Sequence, residues 1–171
     1  LIQYSETFNL HPTQLGHIES LLKEDAVTVC AAHQLSILTG PLYFINKIAS
    51  IIHLADDLNS LQTRRKVVPV FVLGSEDHDF EEVSSLHLDH QTFHWEHKRT
   101  GGSLGWYSTE DLDKLIESVY STLTTTNLNT WKAYCLHSLK QSNNYSEFVI
   151  HYLHFHFSEY GLIVLDLDNP T

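Results

Sequence analysis

Hydrophobic residues in the first half of the chain follow a strand–helix–strand order. Residues 27–31 form a short apolar, β-branched run, which predicts a buried strand. From Pro41 to Leu58, apolar residues recur every three or four positions, which predicts a helix of about five turns. Residues 67–73 predict a second strand, in which Pro69 indicates that the first residues are unpaired or at an edge. The result is a β-α-β unit, whose crossover should be right-handed.

Flanking segments extend this pattern. Pro12 is expected to open a helix before the first strand. Residues 92–97 alternate with period two and are followed by turn glycines, which predicts a short antiparallel excursion. Further helices are expected from about Thr109, with Ser108 as the cap, and at about residues 130–140 and 145–159, before residues 162–165 return to strand.

These elements predict three parts of an α/β chain. Residues 1–84 form the β-α-β half, residues 85–160 form a mixed, mainly helical inserted lobe, and residues 161–171 begin a second half of the sheet. The sequence contains no Met and starts with Leu1, so it is expected to be a piece of a longer polypeptide. On this interpretation the second half of the sheet is truncated.

Composition narrows the classes of function. The chain has 171 residues, 42% of them hydrophobic, which is ample for a packed core. It has no run of about 18 apolar residues, so no membrane span is predicted. The formal net charge of −11 repels a phosphate backbone, which argues against a nucleic-acid partner.

The two cysteines are predicted to be reduced, buried thiols. Cys30 lies in the first predicted strand and Cys135 in a predicted helix, and neither belongs to a paired-cysteine motif. The alternative is a nucleophilic role for Cys30, for which His33 is the nearby activating group.

The first candidate site follows the first predicted strand. Gly40 and Pro41 open the long helix, which leaves backbone N–H groups at residues 39–42 to hold an anion. Lys47 lies about one and a half turns later, where it is either a phosphate ligand or an ordinary surface lysine. Tyr43 is expected to contribute partly to the core and partly to a pocket wall.

The second candidate site follows the second predicted strand and consists of Glu76, Asp77, His78 and Asp79. The carboxyl ends of parallel strands lie at one edge of a sheet, where α/β proteins bind ligands. These carboxylates and the histidine could handle an amine, a phosphate or a bound ion. The structural alternative is that they end the strand and cap the next short helix.

Histidines crowd two other places, at residues 87–97 and 151–156. Neither group has the spacing of a tetrahedral zinc site, so surface or hydrogen-bonded histidines are expected and no metal is assigned.

Three segments resemble the BshC family, the cysteine ligases of bacillithiol biosynthesis. They are residues 28–43 with Gly-Pro-Leu-Tyr, residues 69–80 with Glu-Asp-His-Asp-Phe, and residues 159–166. The resemblance implies a Rossmann-like core related to class I aminoacyl-tRNA synthetases, in a cytoplasmic enzyme that adds cysteine to glucosaminyl-malate. It also implies small-molecule substrates, ATP or ADP as the candidate cofactor, and a homodimer formed by a C-terminal coiled coil outside these 171 residues.

The resemblance also suggests roles for the candidate residues. Asp77, His78 and Asp79 are the expected catalytic residues, which orient or deprotonate the cysteine amine. The expected substrate-binding residues are Gln34, Thr39, Gly40, Pro41, Tyr43, Lys47 and Glu76.

The chain departs from the family pattern before the first site. Where the family typically has Thr-Gly-Gln-Gln and then a Gly two residues on, this chain has Ala31-Ala32-His33-Gln34 and then Ser36. Ala and Ser restrict the backbone more than Gly does, so the loop is expected to bind substrate differently. Two alternatives stay open: a non-catalytic relative that binds a ligand or partner, and a metal-dependent hydrolase that uses residues 76–79. The isolated 171 residues are expected to be inactive.

Overall fold

The computed structural model describes residues 8–23, 26–61, 64–98 and 101–168. Its helices and strands, in chain order, are α1 (Pro12–Leu22), β1 (Ala26–Gln34), α2 (Leu42–Ser60), β2 (Lys66–Gly74), α3 (Phe80–Val83), β3 (Ser85–Leu88), β4 (Gln91–His94), α4 (Leu112–Thr122), α5 (Leu128–Lys140), α6 (Tyr145–Phe157) and β5 (Ile163–Asp166). Short 3₁₀ turns lie at Ile37–Thr39, Leu104–Trp106 and Ser158–Tyr160. The chain forms two compact units: unit 1 contains the described parts of residues 1–33, 41–74 and 153–171, and unit 2 contains residues 34–40 and the described parts of 75–152.

Unit 1 contains a three-stranded sheet in the order β1-β2-β5. Strands β2 and β5 run parallel, with Val70 opposite Ile163 and Leu73 opposite Asp166. The ladder with β5 therefore begins one residue after Pro69, which has no backbone N–H to donate. The parallel sheet with helices between its strands confirms the predicted α/β class.

Helix α1 packs onto this sheet through apolar and polar contacts. Ile18 belongs to a buried cluster with Val68, Val70 and Ile163. On the same helix, the buried Gln14 side chain donates to the Leu162 carbonyl at 2.7 Å. An apolar cluster and a buried hydrogen bond therefore both connect α1 to the start of β5.

Helix α2 confirms the helix predicted from the three-to-four-residue spacing. Its N-cap is Pro41, and its buried residues are Phe44, Ile48, Ile51, Ile52 and Ala55. Asn59, near the end of the helix, bonds both the N–H and the carbonyl of Val67, at 2.9 and 2.8 Å. This side chain ties the helix to the start of β2.

The predicted burial of β1 is wrong. Val27 is 41% exposed, and Cys30 is exposed as well. The reason is the sheet order: among the described strands, β1 has a neighbour on one side only, namely β2. A short β-branched run identifies a strand but not its position in the sheet. Cys135 is buried as predicted, and burial raises the pKa of its thiol to about 12.

Unit 2 begins with a hairpin and an aromatic cluster. Strands β3 and β4 pair antiparallel, from Ser85 opposite His94 to Leu88 opposite Gln91, which confirms the predicted excursion. Trp95 is buried just beyond β4, and its indole N–H donates to the Glu110 carbonyl at 3.0 Å.

The helices of unit 2 are present, but the first one starts later than predicted. Helix α4 begins at Leu112, after Asp111 in a left-handed conformation with φ of 60°. Ser108 is not its cap: the carbonyl and hydroxyl oxygens of Ser108 both lie 3.1 Å from His97 Nε2. Ser108 therefore contacts a histidine eleven residues away, which its local sequence does not indicate.

Candidate functional site

The loop between β1 and α2 has an unusual backbone. Leu38, Thr39 and Gly40 have φ values of 47°, 70° and 53° in succession. Left-handed conformations are costly for residues with a Cβ and concentrate at functional sites. At Gly40 an added Cβ would lie 2.6 Å from the Ser36 Cβ, so both the conformation and the space require glycine there.

In this loop, fewer backbone N–H groups can bind an anion than the sequence predicted. The Gly40 N–H donates to the Ile37 carbonyl at 2.7 Å, and Pro41 has no N–H. Leu42 and Tyr43 occupy the first turn of α2, where backbone N–H groups lack intrahelical acceptors. An anion at this helix start would therefore contact these two residues first.

Tyr43 and Lys47 lie together one helical turn apart. The Lys47 ammonium nitrogen is 5.0 Å from the centre of the Tyr43 ring, and it donates to the Ala32 carbonyl at 3.0 Å. The Tyr43 hydroxyl lies 2.5 Å from His33 Nε2. Tyr43 is 51% exposed, so it is a surface residue with partners and not a core residue.

The remaining residues of the first segment have local roles. Gln34 is the half-buried last residue of β1. The Thr39 hydroxyl bonds the Leu38 carbonyl at 2.5 Å. Pro41 has φ and ψ of −67° and 147°, which suits a residue just before a helix.

In the second segment, both aspartates cap the backbone. Asp77 Oδ1 accepts the N–H groups of His78 and Asp79, at 2.7 and 3.2 Å. Asp79 is the N-cap of α3, and its Oδ1 accepts the Glu82 N–H at 3.2 Å. Oxygens of both carboxylates are therefore engaged in the structural role that was the alternative to catalysis.

The side chain of His78, unlike those of the two aspartates, contacts a backbone carbonyl. Its Nδ1 lies 3.0 Å from the Glu76 carbonyl oxygen, which can only accept a hydrogen bond. In the neutral ring, the proton is therefore on Nδ1, and Nε2 carries a lone pair. Because the side chain is exposed, Nε2 can accept a proton from a substrate amine. Glu76 takes part through its carbonyl, and its exposed side chain stays available.

The backbone of this second segment is anchored within unit 2. Ser75 is buried, and its carbonyl accepts the Gly105 N–H at 3.0 Å and the Ser103 hydroxyl at 2.6 Å. The Asp77 carbonyl accepts the Leu104 N–H at 2.8 Å. These bonds hold the segment that carries His78 in a fixed conformation.

The structure thus gathers the predicted residues in two groups. Tyr43 and Lys47, with Pro41, belong to unit 1, whereas Gln34, Thr39, Gly40 and residues 76–79 belong to unit 2. His33 is a member of the first group that the sequence did not assign to the site. The sequence showed that a histidine precedes Gln34, but it did not indicate that this histidine contacts a helix residue ten positions away.

In residues 8–23, 26–61, 64–98 and 101–168, no group of three or more His, Cys, Asp or Glu side chains is arranged to hold a metal ion. A cleft of about 450 Å³ lies between β4 and α4 in unit 2, lined among others by Glu96, Asp111 and Lys114. None of the predicted site residues lines it.

No helix within the described residues combines the length and the apolar character that crossing a bilayer requires.

Comparison with known proteins gives consistent matches. The whole chain, residues 1–171, matches the family described as "Bacillithiol biosynthesis BshC, N-terminal Rossmann-like domain". It is 34% identical over 155 residues to a Flavobacterium johnsoniae protein named "Putative cysteine ligase BshC", covering 90% of this chain and 29% of that protein. Proteins of the same name from Bacillus cytotoxicus and Cytophaga hutchinsonii are 32% identical over 180 residues and 30% identical over 155 residues, covering 100% and 91% of this chain and 33% and 28% of theirs. The chain therefore spans about a third of the length of these relatives.

Proposed function

Because the chain belongs to the BshC family of bacillithiol biosynthesis, as its N-terminal Rossmann-like domain, we propose that it supplies substrate-binding and proton-transfer groups to a cysteine ligase. The reaction would join cysteine to glucosaminyl-malate through a new carbon–nitrogen bond. The observation that carries this proposal is the His78–Glu76 contact, which leaves Nε2 of an exposed histidine as a proton acceptor.

His78 is the general base of the proposed reaction. An amine attacks a carboxyl carbon only as the free base, so the ammonium group must lose a proton first. His78 Nε2 accepts this proton, while its Nδ1–H stays on the Glu76 carbonyl and fixes the ring. Asp77 and Asp79 are positioning residues, since their oxygens hold the backbone on either side of the histidine.

The start of α2 is the proposed binding site for anionic groups. Lys47 uses one N–H on Ala32 and keeps others for a ligand, and the first-turn N–H groups of Leu42 and Tyr43 face outward along the helix dipole. These groups suit the phosphates of ATP or ADP as well as a malate carboxylate. When bound, ATP would activate a carboxyl group as an acyl phosphate or acyl adenylate, so that phosphate or AMP would leave as the amine forms the carbon–nitrogen bond.

The direct test is product formation by the intact protein. Purified enzyme would be mixed with cysteine and glucosaminyl-malate, with and without ATP, and the condensed product measured by mass spectrometry. Cysteine-dependent product supports the ligase, and its absence under all conditions overturns it. Binding of either substrate without turnover would favour the non-catalytic relative, for which the capping roles of Asp77 and Asp79 are the supporting observation.

The assembly and location follow the same family argument. A homodimer formed by a coiled coil outside these residues, and a cytoplasmic location, are part of this proposal. Sedimentation of the intact protein tests the dimer.

A further inference from the structure

Residues 103–107 of unit 2 lie against the loop that carries His78 and bind its backbone. We call residues 103–107 the supporting segment and residues 75–80 the His78 loop. Three donors of the supporting segment reach two carbonyl groups of the loop: the Ser103 hydroxyl and the Gly105 N–H reach that of Ser75, at 2.6 and 3.0 Å, and the Leu104 N–H reaches that of Asp77, at 2.8 Å. The Asp77 carbonyl is part of the peptide bond to His78, so this contact holds the backbone at His78 itself.

The other end of the His78 loop contacts the supporting segment through an aromatic ring. The Phe80 ring stacks on the Tyr107 ring, with 5.2 Å between their centres and 23° between their planes. Tyr107 is fully buried, and its carbonyl accepts the Tyr145 N–H at the start of α6 at 2.9 Å. The supporting segment therefore holds the loop on both sides of His78 and is itself joined to α6.

Close packing at Gly105 leaves the loop little room to shift. A Cβ added at Gly105 would lie 2.8 Å from the Ser75 Cβ and 3.4 Å from the Ser146 Cβ. Both serines are buried, so neither side chain can turn out into solvent to make room. The supporting segment thus approaches the His78 loop at a distance that only glycine permits.

The supporting segment holds the backbone of His78, whereas the Glu76 carbonyl orients its ring. A general base has to lie within hydrogen-bond reach of the proton that it accepts. A misplacement of about 1 Å can lower turnover about a hundredfold. A base of this accuracy therefore needs a fixed backbone as well as a fixed ring.

We propose that the supporting segment is the positioning element of the proton transfer, in which Ser103 and Gly105 hold the His78 loop so that Nε2 of His78 reaches the substrate amine. The inference rests on the proposed function, because it adds two residues that act through His78. Ser103 and Gly105 are positioning residues, since they act on the backbone of the loop.

Ser103→Ala is the decisive variant, because the Ser75 carbonyl keeps the Gly105 N–H as a donor and is not left unpaired. Under the conditions that give cysteine-dependent product, kcat of the intact protein should fall about tenfold, while the KM for cysteine stays nearly unchanged. A displaced base slows proton transfer without removing a contact to the bound substrate. Ser103→Thr keeps the hydroxyl and should restore most of the lost turnover.

Ser142→Ala is the matched control. Ser142 is also a half-buried serine of unit 2, and its hydroxyl donates to the Ser138 carbonyl at 2.7 Å. Ser142 and Ser103 therefore make the same kind of bond, but only that of Ser103 reaches the His78 loop. The two alanine variants should lose similar amounts in melting temperature, and Ser142→Ala should keep wild-type kcat.

The double variant shows whether Ser103 acts through His78. Once His78 is replaced by alanine, the position of its loop no longer affects proton transfer. Ser103→Ala combined with His78→Ala should therefore be no slower than His78→Ala alone, instead of losing a further tenfold. A general weakening of the fold would lower turnover in both backgrounds.

Gly105→Ala should lower kcat more than Ser103→Ala does, because its Cβ displaces Ser75 and with it the bound loop. This variant can also destabilise unit 2, so its melting temperature is measured and Ser103→Ala carries the decision. Amide hydrogen exchange gives a measurement that does not depend on activity. Residues 76–79 should exchange faster in Ser103→Ala than in Ser142→Ala, because the loop opens more often.

The outcomes separate this inference from the proposed function. If product forms but Ser103→Ala matches Ser142→Ala in kcat and in exchange, or if its loss of turnover is undiminished in the His78→Ala background, the positioning role is overturned and the ligase proposal stands. If the wild type makes no cysteine-dependent product under any condition, the ligase proposal is overturned, and the catalytic role of the supporting segment is overturned with it.

Discussion

The loop before α2 and the loop after β2 carry the two candidate sites, and side chains hold them in different ways. On either side of the first loop, His33 of β1 contacts a residue ten positions away and Lys47 of α2 contacts one fifteen positions away. In the second, the side-chain hydrogen bonds described above for Asp77, His78 and Asp79 reach one to three residues along the chain. The side chains at residues 77–79 cap their own loop, and backbone bonds to residues 103–105 anchor it, whereas the side-chain contacts around the first loop join a strand and a helix.

This contrast predicts different responses to mutation. A residue held by local caps can be replaced with little loss of stability, so an effect on turnover would report its chemistry. In the first loop the backbone is strained, and substitution there is expected to affect folding before it affects binding.

His78→Ala should have the largest effect. If Nε2 accepts the proton from the attacking amine, turnover by the intact enzyme should fall by about 10²-fold or more, since general-base catalysis contributes about that much. The melting temperature should stay nearly unchanged, because the ring is exposed. Product formation by mass spectrometry and thermal unfolding provide the two measurements.

His90→Ala is the matched control for this variant. His90 is also an exposed histidine of unit 2, in the turn between β3 and β4. Its replacement should leave turnover at the wild-type level. Near wild-type turnover of His78→Ala itself would remove His78 from the reaction.

Gly40→Ala should cost about 2 kcal/mol of unfolding free energy or more. Two penalties add: the left-handed φ of 53°, and a Cβ placed 2.6 Å from that of Ser36. A larger residue such as valine would therefore report on folding and not only on the anion site. Urea unfolding measures the loss.

Substitutions at two other glycines distinguish the cost of the left-handed backbone at Gly40 from the cost of the Cβ contact. Gly101 has φ of 85° with nothing within 4 Å of an added Cβ, so Gly101→Ala should cost only about 1 kcal/mol from backbone strain. Gly16, inside α1, has open space and no positive φ, so Gly16→Ala should stabilise by about 0.5–1 kcal/mol. Equal losses at Gly40 and Gly101 would rule out the contact with Ser36 as a cause.

Substitutions of Asp79 should have a smaller effect on stability, and they distinguish its capping hydrogen bond from its negative charge. Asp79→Ala should lose about 1 kcal/mol of stability, because the Glu82 N–H loses its acceptor. Asp79→Asn keeps a good N-cap and should match the wild type in both stability and turnover if Asp79 only positions the loop. A hundredfold loss of turnover in Asp79→Asn with unchanged stability would instead give the carboxylate a catalytic role.

The fold was predictable where information is local. The period of apolar residues predicted α2, and the alternation near Thr92 predicted the hairpin, because each pattern follows from the geometry of a single element. The capping role of Asp79 was likewise an explicit alternative from its position before a short helix.

What the sequence did not predict depends on non-local packing. The exposure of Cys30 follows from the place of β1 in the sheet, which its own residues do not specify. The late start of α4 and the use of Ser108 by His97 depend on a contact eleven residues apart. The His33–Tyr43 contact likewise depends on how β1 and α2 pack together, which the two residues alone do not indicate.

The smallest expected effect concerns His17, a buried counterpart of the exposed His78. Like His78, it uses Nδ1 on a backbone carbonyl, here that of Gly161 at 2.7 Å, but its partner is 144 positions away. Burial lowers the pKa of His17 below the ordinary value of 6.5, an effect that outweighs the hydrogen bond to Gly161. The unfolded chain therefore binds a proton more readily than the folded chain, so stability is full above about pH 6.5 and falls as the pH drops below it.

Urea unfolding at pH 5.5 and pH 7.5 should accordingly give a smaller unfolding free energy at the lower pH. His17→Gln, which does not titrate but keeps a donor for the Gly161 carbonyl, should reduce this difference. Part of the difference should persist, since burial also lowers the pKa of His151 and His156. If His17→Gln shows the full wild-type difference, the protonation of His17 does not contribute to the acid sensitivity. The docking of α1 against Gly161 would then tolerate a charged imidazole, in contrast to what its burial predicts.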